Sequence, residues 1–370
     1  MNTGPVASPV YQPLIDRIRG LVERGETAPG TLIGTERAMT RETGLSRKSV
    51  RLAIEQLIDD GLVERRPGIG VFTRALHTYT RQIQLVVPSL AIKQSIQILC
   101  GALAVAGQRG VHVQIYEMHG VSEADTQFIR ALSATQADGA IIQSPHHEKL
   151  TDALFHLKTA GYPFVLVDEE FAGGDIPCVL ADNYGGGYSV GRALAKLGHQ
   201  RIAFLGGLRA ADTVRSRLDG LRDAVLDAGV HFDRSLVVDI TGHPGEEFNH
   251  AIHRLVGELM ARPNPPTALF CSNDLEAAIA CRELRRLGRR IPDDLSVVGF
   301  DDDMVCDLLD PTLASVRQPT FEMGQVAMKL LLDLLGPGHG KRAAPKPRVQ
   351  HLPTVWVPRE SIAPPPSRPE

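Results

Sequence analysis

A chain of 370 residues with a formal charge of −3 is too long for one ordinary core and too near neutral to coat nucleic acid along its whole length, so a small domain joined to a larger, bilobed one is expected. Its five cysteines, Cys100, Cys178, Cys271, Cys281 and Cys306, lack C-x-x-C spacing and argue against a disulfide framework. No run reaches the eighteen or so apolar residues of a membrane span, and Met1 to Pro9 has no basic-then-apolar pattern, so a cytoplasmic protein is expected.

Taken in chain order, Leu14, Ile15, Ile18, Leu21 and Val22 share one face of an amphipathic helix, and Thr35 to Arg41 opens a second that ends near Gly44. A third helix starts at Ser46, with Val50, Ile54, Leu57 and Ile58 at helical spacing. Ser46 is its predicted N-cap, the free first-turn N–H groups face an anion, and Arg47, Lys48 and Arg51 add positive charge beside them. Leu62 to Arg66 reads as a strand, Pro67-Gly68-Ile69-Gly70 as a tight turn and Val71 to Thr73 as the returning strand. The pattern is a helix-turn-helix followed by a hairpin wing. Residues 1–80 hold eleven Lys/Arg against nine Asp/Glu, near +2, so the remainder is near −5 and the cations are local.

Beyond Gln82 short apolar runs alternate with helical segments. The runs are Ile83–Val87, Val111–Ile115, Gly139–Ile142, Phe164–Val167, Ile202–Leu205, Ala268–Phe270 and Ser296–Val298. The helices fall at Ile96–Arg109, Ala124–Thr135, Tyr184–Leu197, Ser216–Ala228, Phe248–Met260 and Leu275–Leu287. Parallel sheets covered on both faces by helices follow, in two lobes sharing a cleft. Ligands of such sheets bind beyond the carboxyl ends of strands, where Ser89, Asp168, Asn273 and Asp301 stand. The proline-rich stretch from Pro358 to Glu370 is expected to be a mobile tail.

Gly25, Pro29-Gly30, Glu36-Arg37, Leu45-Ser46-Arg47, Val50-Arg51 and Gly61-Leu62-Val63 through Gly68-Ile69-Gly70 together resemble the winged helix-turn-helix of GntR-type regulators. The resemblance implies phosphate contacts from Arg37, Ser46 and Ser49, major-groove contacts from Arg47, Lys48 and Arg51, and a minor-groove approach by Gly68. Gly34-Thr35 replaces the usual Pro-Ser pair, which predicts a weaker cap on the second helix, and Lys48 replaces a commoner Thr.

The remainder resembles the sensor domain of LacI-type repressors. The likeness rests on Val86-Val87-Pro88-Ser89-Leu90, Asp138 to Ile142, Val165-Leu166-Val167-Asp168, Asp182 to Gly187, Leu197-Gly198-His199, Arg201 to Gly207, Ser272-Asn273-Asp274, Val297 to Asp302, Arg317-Gln318-Pro319 and Glu322-Met323-Gly324. A GntR-like head on such a sensor is similar to the arabinose-repressor subgroup. The expected fold class is α/β: an N-terminal winged helix-turn-helix plus a bilobed periplasmic-binding-protein-like (type I) domain of two doubly wound parallel sheets. The expected boundaries are 9–74 for the head, 75–81 for a linker, 82–359 for the effector-binding and dimerisation domain and 360–370 for a disordered tail.

The resemblance implies a repressor, paired as a homodimer on double-stranded operator DNA and controlled by a sugar or sugar derivative. It places Arg217, Asp168, Asp301 and Asn273 on effector positions; Ser89, after the first strand, and Gln318, beside a predicted lobe crossover, join them as candidates from their places in the sequence. A carboxylate takes two hydroxyl donors while Asn or Arg brackets the rest with planar forks. Alternatives stand beside these roles: Arg217 and Asp301 as a structural bridge across the cleft, and Asn273 or Asp182 as helix caps. Ala91-Ile92-Lys93-Gln94 stands where relatives carry Asn-Pro and an aromatic; Lys93 and His243 suit an anionic sugar or a solvated surface.

No cofactor or metal is expected. Gly185-Gly186-Gly187 lacks the following Gly-Lys-Ser/Thr of a phosphate loop, His146-His147-Glu148 is crowded for zinc, and no nucleophile elbow occurs. The rival functions are a sugar- or sugar-phosphate-acting enzyme with a DNA-binding head and a sugar transport protein.

Overall fold

The computed structural model describes residues 10–23, 27, 30–60, 62–73, 80–143, 148–171, 176–208, 212–241, 246–336 and 349–366. Gly25, Pro29, Gly61, residues 75–79 of the expected linker, His146-His147, His243 and residues 367–370 lie outside the described residues. The chain divides into two compact units, residues 1–82 with 332–346, and residues 83–331 with 347–370.

The first unit runs α1 (Gln12–Glu23), β1 (Leu32–Gly34), α2 (Glu36–Thr43), α3 (Arg47–Asp59), β2 (Val63–Arg66) and β3 (Gly70–Thr73). Leu14, Ile15 and Ile18 of α1, Met39 of α2 and Val50, Ile54 and Leu57 of α3 meet in one buried cluster. The apolar stripe of each helix thereby leaves water. Gly44 takes φ 69° at the end of α2, a left-handed conformation that lets the chain reverse before α3. The weaker cap expected from Gly34-Thr35 is corrected: Thr35 is a regular N-cap whose hydroxyl accepts the Ala38 N–H at 3.1 Å. The wing is an antiparallel sheet of order β1-β3-β2. Its third strand, β1, is three residues long and too short to show a period in the sequence.

The second unit begins β4 (Gln82–Val87), α4 (Lys93–Arg109), β5 (His112–Glu117), α5 (Glu123–Ala131), β6 (Gly139–Gln143), α6 (Glu148–Thr159), β7 (Phe164–Val167) and β8 (Cys178–Ala181). It continues α7 (Asn183–Lys196), β9 (Ile202–Gly206), α8 (Asp212–Asp227), β10 (Val237–Asp239), α9 (Phe248–Met260), β11 (Ala268–Cys271), α10 (Asp274–Arg286), β12 (Ser296–Val298) and α11 (Val305–Leu308). The last elements are β13 (Ser315–Arg317), α12 (Thr320–Leu335), β14 (Val349–Leu352) and β15 (Val355–Val357).

Two sheets form two lobes. One has strand order β14-β8-β7-β6-β4-β5 and the other β10-β9-β11-β12, while β13 and β15 make a separate antiparallel ribbon. Along β9, β11 and β12 alternate residues enter opposite cores: Ala203, Leu205, Leu269 and Val297 one, Phe204, Phe270 and Val298 the other. Burial of both faces explains the uninterrupted apolar runs. Although α12 is late in the chain, it packs on the first lobe. Gly101 of α4 and Gly324 of α12 sit where a Cβ would collide with the Phe321 and Ile98 carbonyls, so the two helix backbones touch.

The expected tail is also corrected. Ser361 is 1% exposed, donates to the Val297 carbonyl at 2.6 Å and accepts the Ala314 N–H at 2.8 Å. Ala363 accepts from the Ser296 hydroxyl at 3.0 Å, and Ile362 packs against the core that holds Phe204 and Phe270. Residues 360–363 therefore complete the second lobe. Composition misled because prolines need no partner for a missing N–H and lie readily along a strand edge.

Candidate DNA interface and effector cleft

In the head, Ser46 caps α3 by accepting the Ser49 N–H at 3.1 Å, and the two hydroxyls lie 2.9 Å apart. One first-turn donor is thereby engaged, and those of Arg47 and Lys48 remain at the positive end of the helix. Arg37, Ser46, Arg47, Lys48 and Arg51 are exposed and Ser49 is half-buried. Among the described residues Arg47 and Lys48 form no ion pair, whereas Arg51 reaches Glu55 at 3.2 Å. Gly68 occupies the exposed wing tip at φ 75°. Behind it Arg66 lies 4.3 Å over the Phe72 ring and Arg65 pairs with Glu36 at 2.7 Å, tying the wing to α2.

In the sensor, β7 leads to Asp168 in the first lobe, and β12 leads to Asp301 in the second. Arg217, from α8, is 5% exposed and central. Its Nε donates to Asn183 Oδ1 at 2.8 Å, its Nη1 donates to the Ser272 carbonyl and lies 3.8 Å from Asp301 Oδ1, and its plane stacks 3.8 Å over the Phe300 ring. Arg217 and Asp301 belong to the same lobe, so they do not bridge the cleft as the structural alternative had it. Asp301 Oδ1 also accepts Gln318 Nε2 at 2.6 Å.

Three carboxylates at these strand ends, Asp168, Asp301 and Asp302, hold positive φ of 70°, 115° and 56°. Such conformations cost free energy and persist where the surroundings impose them, commonly at ligand sites. Burial pushes the Asp168 carboxyl up to about 6 against the pull of Arg217, and raises Asp301 in the same direction. Among the described residues Asp168 Oδ1 and Gln318 Oε1 are buried acceptors without a hydrogen-bond partner, whereas Asp302 Oδ1 faces Arg359 Nη2 at 2.7 Å.

The other predicted groups are occupied. Ser89 donates to Glu117 Oε1 at 3.0 Å and accepts the Ala91 N–H at 3.1 Å. Asn273 caps α10 by accepting the Glu276 N–H at 2.8 Å, and Asp182 caps α7 through Gly185 at 2.8 Å. Lys93 is engaged rather than free. Its Nζ donates to the Asp302 carbonyl at 2.6 Å, linking the two lobes.

Residues absent from the sequence-based set include Asn183 and Glu276. Glu276 is buried, accepts the Ser272 hydroxyl at 2.8 Å and is raised to about 7 by desolvation. A concavity of about 310 Å³ adjoins the Arg217 cluster without coinciding with it. Asn183 lines it, as do Glu169 and Ser216, the chain neighbours of Asp168 and Arg217. Its size falls at the lower end of small-ligand sites.

Residues 10–73 match the family of bacterial regulatory proteins known as gntR, and residues 192–362 match the periplasmic binding protein-like domain. The HTH-type transcriptional regulator CelR of Thermobifida fusca is 30% identical over 87% of this chain and 92% of its own length. The chain belongs to the transcriptional regulators that join a GntR-type head to a LacI-type sensor. The arabinose metabolism transcriptional repressor of Halalkalibacterium halodurans is 26% identical over 90% of this chain and 91% of its own. A solved complex of transcriptional regulator CelR with cellobiose aligns at a TM-score of 0.66 and 30% identity, covering 85% of this chain and 90% of that one. Within this regulator family the α/β architecture described above is the shared one. Among the described residues no helix is long and apolar enough to cross a membrane.

Proposed function

We propose that this regulator represses transcription from the cytoplasm and that a neutral, hydroxyl-rich effector of the sugar class, bound at Asp168, Arg217, Asp301 and Gln318, controls its grip on operator DNA. The observation that carries this reading is the pair of acceptors, Asp168 Oδ1 and Gln318 Oε1, that have no hydrogen-bond partner among the described residues, beside an arginine held in place by Asn183 and Ser272. Buried acceptors without partners are unfavourable, and sugar hydroxyls supply the donors. The names of the relatives, an arabinose-metabolism repressor and a regulator solved with cellobiose, support the same class. Lys93 and Arg217 already donate to neutral acceptors, Lys93 to the Asp302 carbonyl and Arg217 to Asn183 and Ser272, which favours a neutral ligand over a phosphate.

A thermal-shift panel of neutral sugars and their phosphates tests this. A neutral sugar is expected to stabilise the protein, by about 2.7 kcal/mol at a hundredfold excess over Kd, and to change DNA binding. A phosphorylated sugar binding more tightly than its parent would sink the neutral class. Incubation with each hit is expected to return it chemically unchanged; turnover would favour the enzyme reading.

Proton linkage provides a second check. Asp168 is raised in the folded protein from 3.8 to about 6, so between those values the folded state holds more protons than the unfolded one. Ligand-free stability should therefore fall as pH rises from about 4 to 6. Hydroxyl donors favour the carboxylate, so effector binding releases protons and affinity should rise with pH through about 6. Calorimetry in two buffers of different ionisation enthalpy reads the proton release directly, and proton uptake on binding would contradict the assignment.

Two copies are proposed to pair through the sensor. Ile92, Ile96 and Leu103 on and before α4, Ile115 on the edge strand β5, and Met304 and Leu308 at α11 are all at least 40% exposed. Pairing would cover apolar side chains that a single copy leaves in water. Met304→Glu with Leu308→Glu should yield monomers in sedimentation and weaken operator binding; an unchanged sedimentation coefficient would place the interface elsewhere. Paired heads reading one duplex face require half-sites spaced by whole helical turns.

A further inference from the structure

The inner face of α3 is wholly apolar and closed: Val50, Ala53, Ile54 and Leu57 are 0% exposed. At 3.6 residues per turn the opposite face carries Lys48, Leu52 and Glu55, flanked by Arg51 and Gln56. Lys48, Arg51 and Glu55 are exposed, as a solvated or DNA-facing surface requires. Leu52 breaks that pattern. It is 40% exposed and is the one large apolar side chain on the outward face of the helix.

We propose that Leu52 reads the 5-methyl group of a thymine in the major groove. The inference rests on α3 being the recognition helix. The groove, about 12 Å wide, admits an α-helix, so side chains on the outward face of the first two turns meet base edges. Leu52, about 7.5 Å along the axis from Arg47, lies in the second turn. Guanine, cytosine and adenine present only hydrogen-bonding atoms there, and leucine would strip them of water without a replacement partner; the thymine methyl is the apolar feature of the edge. Lys48 and Arg51 on either side supply polar and phosphate contacts that hold the helix at that depth. Arg51 is itself steadied by Glu55 at 3.2 Å, which leaves the surface between Lys48 and Glu55 to Leu52. The residue thus adds an apolar letter to a set of basic contacts.

The probe is a set of duplexes selected by the full-length protein from a randomised library, then resynthesised with deoxyuridine for each thymine in turn, a change that removes one methyl group. The wild type should lose roughly fourfold affinity at one thymine per half-site, equivalent to ~0.8 kcal/mol for a buried carbon. Leu52→Ala should bind the thymine duplex about as weakly as the wild type binds the deoxyuridine one, and should no longer distinguish the two. Thermal melting of the variant should match the wild type, since the site is exposed. Selected sites lacking any common thymine, indifference of the wild type to every replacement, or retained discrimination by Leu52→Ala each overturns the proposal. Arg47→Ala separates the two layers of inference. If it loses binding while deoxyuridine has no effect, only the role of Leu52 fails; if binding is normal even after loss of both Arg47 and Arg51, the recognition-helix assignment fails with it.

Discussion

Arg217→Ala should abolish effector binding and lower the stability of the sensor by about 3 kcal/mol or more, the range found when one partner of a buried charge pair is removed. The guanidinium satisfies Asn183 Oδ1 and the Ser272 carbonyl, covers the Phe300 ring and stands 3.8 Å from Asp301. Alanine leaves those acceptors buried and removes the positive charge that draws Asp168 and Asp301 toward the ionised form. Urea unfolding reports the stability loss and calorimetry the binding loss. The two effects separate in Arg217→Met combined with Asp301→Asn, which removes both charges. That variant should recover much of the stability and none of the binding, because the planar fork is gone. An Arg217→Ala protein that binds the sugar at wild-type affinity would remove the cleft assignment.

Arg47→Ala should weaken operator binding by roughly 1–3 kcal/mol and relax selectivity at one base position. Arg47 begins α3, is exposed, and has no intramolecular carboxylate to satisfy it among the described residues. Its loss should not alter sugar affinity or sensor stability. A phosphate-only role gives a different signature: uniform weakening across sequences and a shallower dependence of affinity on salt. Gel-shift titrations over several salt concentrations distinguish these outcomes. Retained operator binding after loss of both Arg47 and Arg51 would show that α3 does not read the groove.

The buried strands were legible because both faces of β6, β7, β9 and β11 are covered, which writes each as an unbroken apolar run. The head was legible for a different reason. Caps such as Ser46 and Gly44 are local, and their chemistry needs no tertiary knowledge. What could not be read were contacts whose partners lie far apart in the chain. Arg217 meets Asn183 and Ser272 from 34 and 55 residues away, and Lys93 reaches Asp302 from 209 residues away. The commitment of Ser89 to Glu117, 28 residues on, was invisible for the same reason. Short elements such as β13 and β15, three residues each, carry no period of their own.

The chain's last described segment supplies a strand to each lobe's neighbourhood: β14 joins the first sheet beside β8, and Ser361 closes hydrogen bonds with Val297 and Ala314 in the second. During synthesis neither half of the sensor can finish folding until residues 349–363 have left the ribosome, long after the elements from α1 to β3 have emerged. A frameshift just before the codon for Val349 would therefore cripple both halves of the receptor at once while sparing the front module's own elements, and such alleles should behave as deaf to effector rather than as partially tuned.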